Sequence, residues 1–262
     1  MLLIADNLTV TNKAVQRAVV ERNPAPIQEL VRSCVAAGAQ AIDINPGPLG
    51  HKPEEAMTFF VDAVQAVTNL PVLIDTPNPR AIEAALGCCR ENAIINGFSL
   101  EPAKREAILP LAKKYNVDII GYLLRPDGHV PADAVERLQI ALSVYEAACT
   151  AGVARERLII DPVVVPVTWQ NGNVQNRAVL SVIRQLPDLL AFPVRTVAGL
   201  SNLTATEAPR GKKLLIESAY ICMLAEAGLS MVLMNVLHKE TVAAARACRS
   251  LLDSSIFVWD EI

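Results

Sequence analysis

The sequence predicts an α/β protein folded as a single (β/α)8 TIM barrel, and three observations predict it. Eight short apolar runs recur along the 262-residue chain, each followed by a polar or Gly/Pro-rich corner and then by a longer segment of helical period. The alternation continues without a Pro/Gly/Ser-rich linker or a shift in composition, so residues 1–262 read as one domain. The first corner is Ala5-Asp6-Asn7-Leu8-Thr9, not the Gly-rich turn that opens a doubly wound nucleotide-binding sheet, which leaves the closed barrel as the architecture.

The strands are expected at 2–5 (LLIA), 40–44 (QAIDI), 71–75 (PVLID), 92–96 (NAIIN), 117–123 (VDIIGYL), 157–161 (RLIID), 194–199 (VRTVAG) and 230–234 (SMVLM). Prolines mark five helix starts: Pro24 before 25–38, Pro53 before 54–67, Pro79 before 80–89, Pro102 before 103–115 and Pro131 before 132–152. In each case the missing N–H falls in a first turn, where it would have no partner. Helical period continues at 175–186, 212–228 and 238–252.

Apolar residues make up 52% of the chain and aromatics only 4%, so Ala, Val, Leu and Ile must fill the core, as suits helices packed on parallel strands. The net charge is −3, and no basic cluster exceeds Arg210-Gly211-Lys212-Lys213, which leaves no footprint for nucleic acid or an anionic membrane. No apolar stretch is long enough to span a bilayer, and MLLIADNLTV reads as a first strand, since an acidic residue stands where a signal peptide needs a basic region. Six scattered cysteines form no C-x-x-C pair and no zinc spacing, as expected of reduced thiols in a cytoplasmic protein.

In a barrel of this kind, active-site groups gather at the C-terminal ends of the strands. Those corners hold Asp6 and Asn7, then Asp43 to Pro48, Asp75 to Asn78, Asn96 to Ser99, Arg125 to Gly128, Asp161 with Pro162, and Ser201 with Asn202. Asp and Asn are ordinary turn and capping residues. Asp43, Asp75, Asn96 and Asp161, however, each close an apolar run, where an inward side chain enters the barrel mouth. A ring of carboxylates and amides without lysine suits a nitrogen heterocycle, because a carboxylate facing a paired N–H and NH2 edge accepts two charge-assisted bonds. Metal binding by Asp43, Asp75 and Asp161 has no short-spaced further ligand to support it. His51, His129 and His238 read as surface or capping residues, with His129 nearest a functional corner, and Thr204 reads as a loop residue.

The chain resembles the methyltetrahydrofolate:corrinoid methyltransferases, pterin-binding (β/α)8 enzymes, in DINPGP (43–48), LIDTPNPRAIEAAL (73–86), AIIN (93–96), IIDPVVVP (159–166) and GLSN (199–202). The resemblance runs over essentially the whole chain. It implies that Asp75, Asn96 and Asp161 hold the pterin ring, that Asn202 lies near N5, and that Asp43, Asn45, Ser201 and Arg210 make further contacts. It implies tetrahydrofolate or 5-methyltetrahydrofolate as substrate, a corrinoid (cobalamin) on a partner protein, and a homodimer. Two positions depart from the pattern: Ala5-Asp6-Asn7-Leu8-Thr9 replaces Gly-Glu-Arg-Ile-Asn, and Ala205 stands where a Gln is common.

Asn202 has no ionisable group, so on this reading its amide stabilises the transition state by hydrogen bonding to the reacting nitrogen while solvent exchanges the proton. The residues are the same for either direction of methyl transfer. Two alternatives remain at the level of sequence: a dihydropteroate synthase, for which the eighth strand offers only His238 and Lys239 as cations, and a non-catalytic module that binds pterin or a corrinoid protein.

Overall fold

The computed structural model describes residues 1–9, 12–48, 51–90, 92–253 and 259. Eight parallel strands run in chain order: β1 (Leu2–Thr9), β2 (Ala41–Asn45), β3 (Val72–Ile74), β4 (Ala93–Phe98), β5 (Asp118–Tyr122), β6 (Leu158–Asp161), β7 (Arg195–Gly199) and β8 (Met231–Met234). β8 pairs with β1 and closes the barrel. Seven of the eight strands end within two residues of their expected limits. β1 is the exception, running to Thr9, while Val10, expected to follow in the same segment, lies outside the described residues.

The helices are α1 (Lys13–Val20), α2 (Ala25–Ala36), α3 (Pro53–Gln65), α4 (Pro79–Cys88), α5 (Pro102–Tyr115), α6 (Ala134–Thr150), α7 (Gly172–Leu190), α8 (Arg210–Glu226) and α9 (Lys239–Leu252). The short α1 is not anticipated by the sequence reading. Asn12 caps it by accepting from the Ala14 N–H, and Val15 and Ala18 bury its inner face. Pro131 does not open α6: Asp133 caps that helix, and the Pro131 carbonyl instead accepts from Arg137 Nε at 3.0 Å. Gly121 lets α6 approach β5, since a Cβ there would stand 2.4 Å from Cγ1 of Val144.

The apolar residues divide into two clusters. The larger lies between strands and helices. The smaller plugs the barrel with Ile4, Ala41, Leu73, Ile94, Ile120, Ile159, Val197, Met231 and Leu233. Side chains alternate along a strand, so the residue two positions beyond the last plug residue of each strand also points inward. Those residues are Asp6, Asp43, Asp75, Asn96, Tyr122, Asp161, Gly199 and Asn235. The barrel interior therefore changes from wholly apolar to almost wholly polar in one layer, and that layer is the floor of the site.

Candidate active site

A cavity of about 770 Å³ opens at the C-terminal end of the barrel, and all eight of those top-layer residues line it. The size suits a small organic ligand. Asn45 and Asn202 line it as well, so seven of the eight residues anticipated as site residues meet here. Arg210 is the exception. It begins α8, is exposed, and lies outside the lining, which Lys213 from the same helix joins.

On the floor, each amide has its orientation set by a neighbour. Asn45 Oδ1 accepts from the Gly47 N–H at 3.2 Å, which turns Nδ2 towards Asp75 Oδ2 at 2.6 Å. Tyr122 OH donates to Asn96 Oδ1 at 2.6 Å, leaving Asn96 Nδ2 to donate to Asp43 Oδ1 at 3.2 Å. The Val163 N–H bonds Asp161 Oδ1 at 2.7 Å. Val163 itself takes a left-handed backbone, φ 64°, which is costly for a β-branched residue. The buried Arg137 holds that turn by donating to the carbonyls of Pro162 and, at 3.0 Å, Val163.

Asp43 is deeper than expected, two residues before the end of β2 and almost fully buried. Burial, reinforced by the charge of Asp75, holds its carboxyl well above the usual range, and the Asn96 bond only partly offsets this. Burial likewise pushes Asp75 up to about 6 against the Asn45 bond, and Asp161 up to about 7 against the Val163 N–H and Arg137. Tyr122 is raised by burial and by the charges of Asp75, Asp161 and Asp43. Such a floor binds protons readily and favours a ligand that brings N–H donors.

The wall between β7 and β1 is built differently. One extra residue in β1, between Ala5 and Leu8, forms a bulge against β2, so the consecutive Asp6 and Asn7 both reach the cavity. Asp6 accepts from Ser201 and is raised by burial. Thr204, expected to be an ordinary loop residue, is buried and donates to Glu217 of α8. His238, expected on the surface or as a cap, takes the N-cap position of α9 without a side-chain cap bond and also lines the cavity, whereas His129 is exposed and pairs with Asp127 at 3.1 Å. Among the described residues no cluster of His, Cys, Asp or Glu is arranged to hold a metal ion.

Tyr122 and Asn235 were readable by counting two residues beyond the plug. Glu217 and Lys213 project from a helix, and no strand period marks them.

The family profile described as "Pterin binding enzyme" matches residues 7–235. Among characterised proteins, the methylcorrinoid:tetrahydrofolate methyltransferase of Eubacterium limosum is 23% identical over 256 residues, covering 96% of this chain and 91% of that protein. Among solved structures, dihydropteroate synthase of Xanthomonas albilineans superposes with a TM-score of 0.68 at 21% identity, covering 97% of this chain and 93% of that one. The dihydropteroate synthase of Stenotrophomonas maltophilia gives 0.69 at 19% identity, covering 97% and 94%. These structures share the barrel fold with the chain.

Proposed function

The chain belongs to the pterin-binding enzyme family, and from that premise we propose that it is a methyltransferase moving a methyl group between N5 of tetrahydrofolate and the cobalt of a corrinoid (cobalamin) on a partner protein. The observation that carries this reading is the convergence of Asp75, Asn96 and Asp161 on one cavity floor with Asn202 on the wall above. A pterin presents an N–H and an NH2 along one edge. A carboxylate buried without a cation in hydrogen-bond contact gains most from such a pair. Asp161 fits that description, since its hydrogen bond comes from a backbone N–H. Asp43, Asn45 and Ser201 complete the contacts, and Arg210 at the outer rim meets the part of the folate that leaves the mouth.

The Eubacterium limosum relative supports the direction from methylcorrinoid to tetrahydrofolate, with 5-methyltetrahydrofolate as product. The corrinoid, when bound, carries the methyl group on its cobalt. This chain's own residues bind the pterin, orient the N5 lone pair towards the open mouth and take up the proton that N5 releases. Asn202 Oδ1 accepts from N5–H before transfer. The acidic lining suits the release of a proton: five carboxylates line the cavity (Asp6, Asp43, Asp75, Asp161 and Glu217) against Lys213 and His238. The same balance disfavours a dihydropteroate synthase reaction, which must accommodate a diphosphate.

We place the enzyme in the cytoplasm as a homodimer. All six cysteines are free, and no described helix is long and apolar enough to cross a membrane. Leu215, Ile216 and Met223 are exposed on α8, and Val174 and Leu189 on α7, to which α8 is tied by Arg184 and Glu226. Such a face suits a second copy.

The reading is tested by adding the purified chain to tetrahydrofolate and methylcobalamin, and to 5-methyltetrahydrofolate and reduced cobalamin, while following the cobalt spectrum and titrating folate binding. Turnover in either direction is expected. Absence of folate binding overturns the reading, and folate binding without a spectral change in either direction identifies a binding module.

A further inference from the structure

The turn that carries Asn202 is a five-residue 3-10 turn, Leu200–Thr204, whose Leu200 and Leu203 are buried while Ser201 and Asn202 face the mouth. Its backbone is held by its own 3-10 bonds, by the Ala205 N–H on the Asn202 carbonyl at 3.3 Å and by the Val167 N–H on the Leu203 carbonyl at 3.0 Å. Two carboxylates from other elements grip its side chains as well. Ser201, just before Asn202, donates to Asp6 from the bulge in β1, 195 residues away in sequence. Thr204, two residues after Asn202, donates to Glu217 Oε1 from α8.

The Asp6 grip is braced from the end of β8. The N–H of Val236 bonds Asn7 Oδ1 at 3.1 Å, and the N–H of Leu237 bonds Asn235 Oδ1 at 3.0 Å, which sets the orientation of both amides. Asn7 Nδ2 then donates to Asn235 Oδ1 at 2.6 Å, holding the bulge beside Asp6. Asn235 Nδ2 faces His238 Nε2 at 3.2 Å, so Nε2 is the acceptor and Nδ1 carries the ring hydrogen. Nδ1 stands 3.7 Å from Glu217 Oε2, too far for a hydrogen bond.

We propose that Asp6 and Glu217 are positioning residues that clamp the Asn202 turn from both sides, through Ser201 and Thr204, and so fix the amide that meets the reacting nitrogen. The inference rests on the reading of Asn202 given above. A half-buried carboxylate, Asp6, and a buried one, Glu217, neither bonded to a lysine or arginine, are an expensive way to hold a loop. Apolar contacts would secure the turn against unfolding but would leave its rotation free, whereas a hydrogen bond on each flank fixes the direction in which Asn202 points.

The test uses the full chain with tetrahydrofolate and methylcobalamin, comparing Ser201→Ala, Thr204→Val and Thr204→Ser in the native and Asn202→Ala backgrounds. In the native background Ser201→Ala and Thr204→Val should each lower kcat about tenfold, Thr204→Val with KM for tetrahydrofolate within about twofold, while Thr204→Ser recovers the loss. In the Asn202→Ala background the same changes should cost nothing further, because their target is gone. Losses that add in full to that of Asn202→Ala, or an unchanged kcat, overturn the clamp. Should the native chain bind folate without turning over, the methyl-transfer reading alone fails. The clamp is then read from the Asn202 side-chain amide resonance in asparagine-labelled protein, identified by its loss in Asn202→Ala. Ser201→Ala, on the exposed side of the turn, should move or broaden that signal, and an unchanged signal overturns the inference.

Discussion

Gly199 and Asn202 share one place in the barrel: a Cβ built on Gly199 would stand 2.9 Å from Nδ2 of Asn202. On seven strands the top inward position is occupied by that strand's own polar side chain. On β7 it is Gly199, and the amide of Asn202 comes back over the vacant position from the turn that follows. The glycine is needed for space and not for backbone freedom, since its φ of −83° and ψ of 98° suit any residue.

Gly199→Ala should therefore leave the barrel folded and displace only the Asn202 amide. The obstructing atom belongs to the end of a side chain, which can rotate away. Turnover should fall at least about tenfold, approaching that of Asn202→Ala, with the melting temperature within a few degrees of the native protein. Steady-state kinetics with a thermal melt checks this, and full activity would show that the two groups do not compete for the position.

The strands and the acid and amide floor were legible because the same period governs both. An apolar run ending in Asp or Asn, as at Asp43, Asp75, Asn96 and Asp161, gives the register and the polar terminus together. Tyr122 carries no such mark, because a tyrosine ends its run without interrupting it, and only the count from the plug finds it. The clamp was illegible for a different reason: Asp6 and Ser201, or Thr204 and Glu217, meet only once β1 bulges and α8 docks, and neither event leaves a local mark in the sequence. Pro131 misled because a proline before a helix signals its first turn only if no better cap follows, and Asp133 follows.

The raised carboxyls should make the ligand-free protein less stable as pH rises. Burial holds Asp161 at about 7 and Asp75 at about 6, both above the ordinary 3.8. Between these limits the folded protein binds more protons than the unfolded chain, so the stabilisation is complete below the unfolded value and is lost as pH passes through 6 to 7. For Asp161 the ceiling is about 4 kcal/mol. Asp161→Asn should flatten the fall in melting temperature between pH 5 and pH 8, and should melt above the native protein at pH 8. Saturating tetrahydrofolate should reduce the slope in the native protein, since its N–H donors favour the ionised carboxylates. Equal slopes for native and Asp161→Asn protein would remove Asp161 from this account.

Arg137 links stability to ligand affinity. Its guanidinium is fully buried, bonds three backbone carbonyls and supports the left-handed turn whose N–H grips Asp161. Arg137→Lys keeps a charge but cannot reach three carbonyls in one plane. It should cost about 3 kcal/mol in denaturant unfolding, the scale of losing two charge-assisted bonds. It should also weaken folate binding several-fold although no ligand touches position 137. A destabilised variant with unchanged affinity would confine Arg137 to the packing of α6.

The α7 and α8 face gives the last expectation. Leu215 is 70% exposed and Met223 45%, on the side of α8 turned away from the barrel, so neither contributes much to the fold of one copy. Burying both against a second copy would contribute a few kcal/mol of association energy, and placing a charge there would oppose it. Leu215→Glu should convert a dimer to a monomer in sedimentation experiments at micromolar concentration, with the melt of the monomer nearly unchanged. Because Leu215 lies outside the cavity lining, folate affinity should survive the substitution. A native protein that sediments as a monomer would assign this apolar face to a different partner, with the corrinoid carrier the first to try by titration against Leu215→Glu.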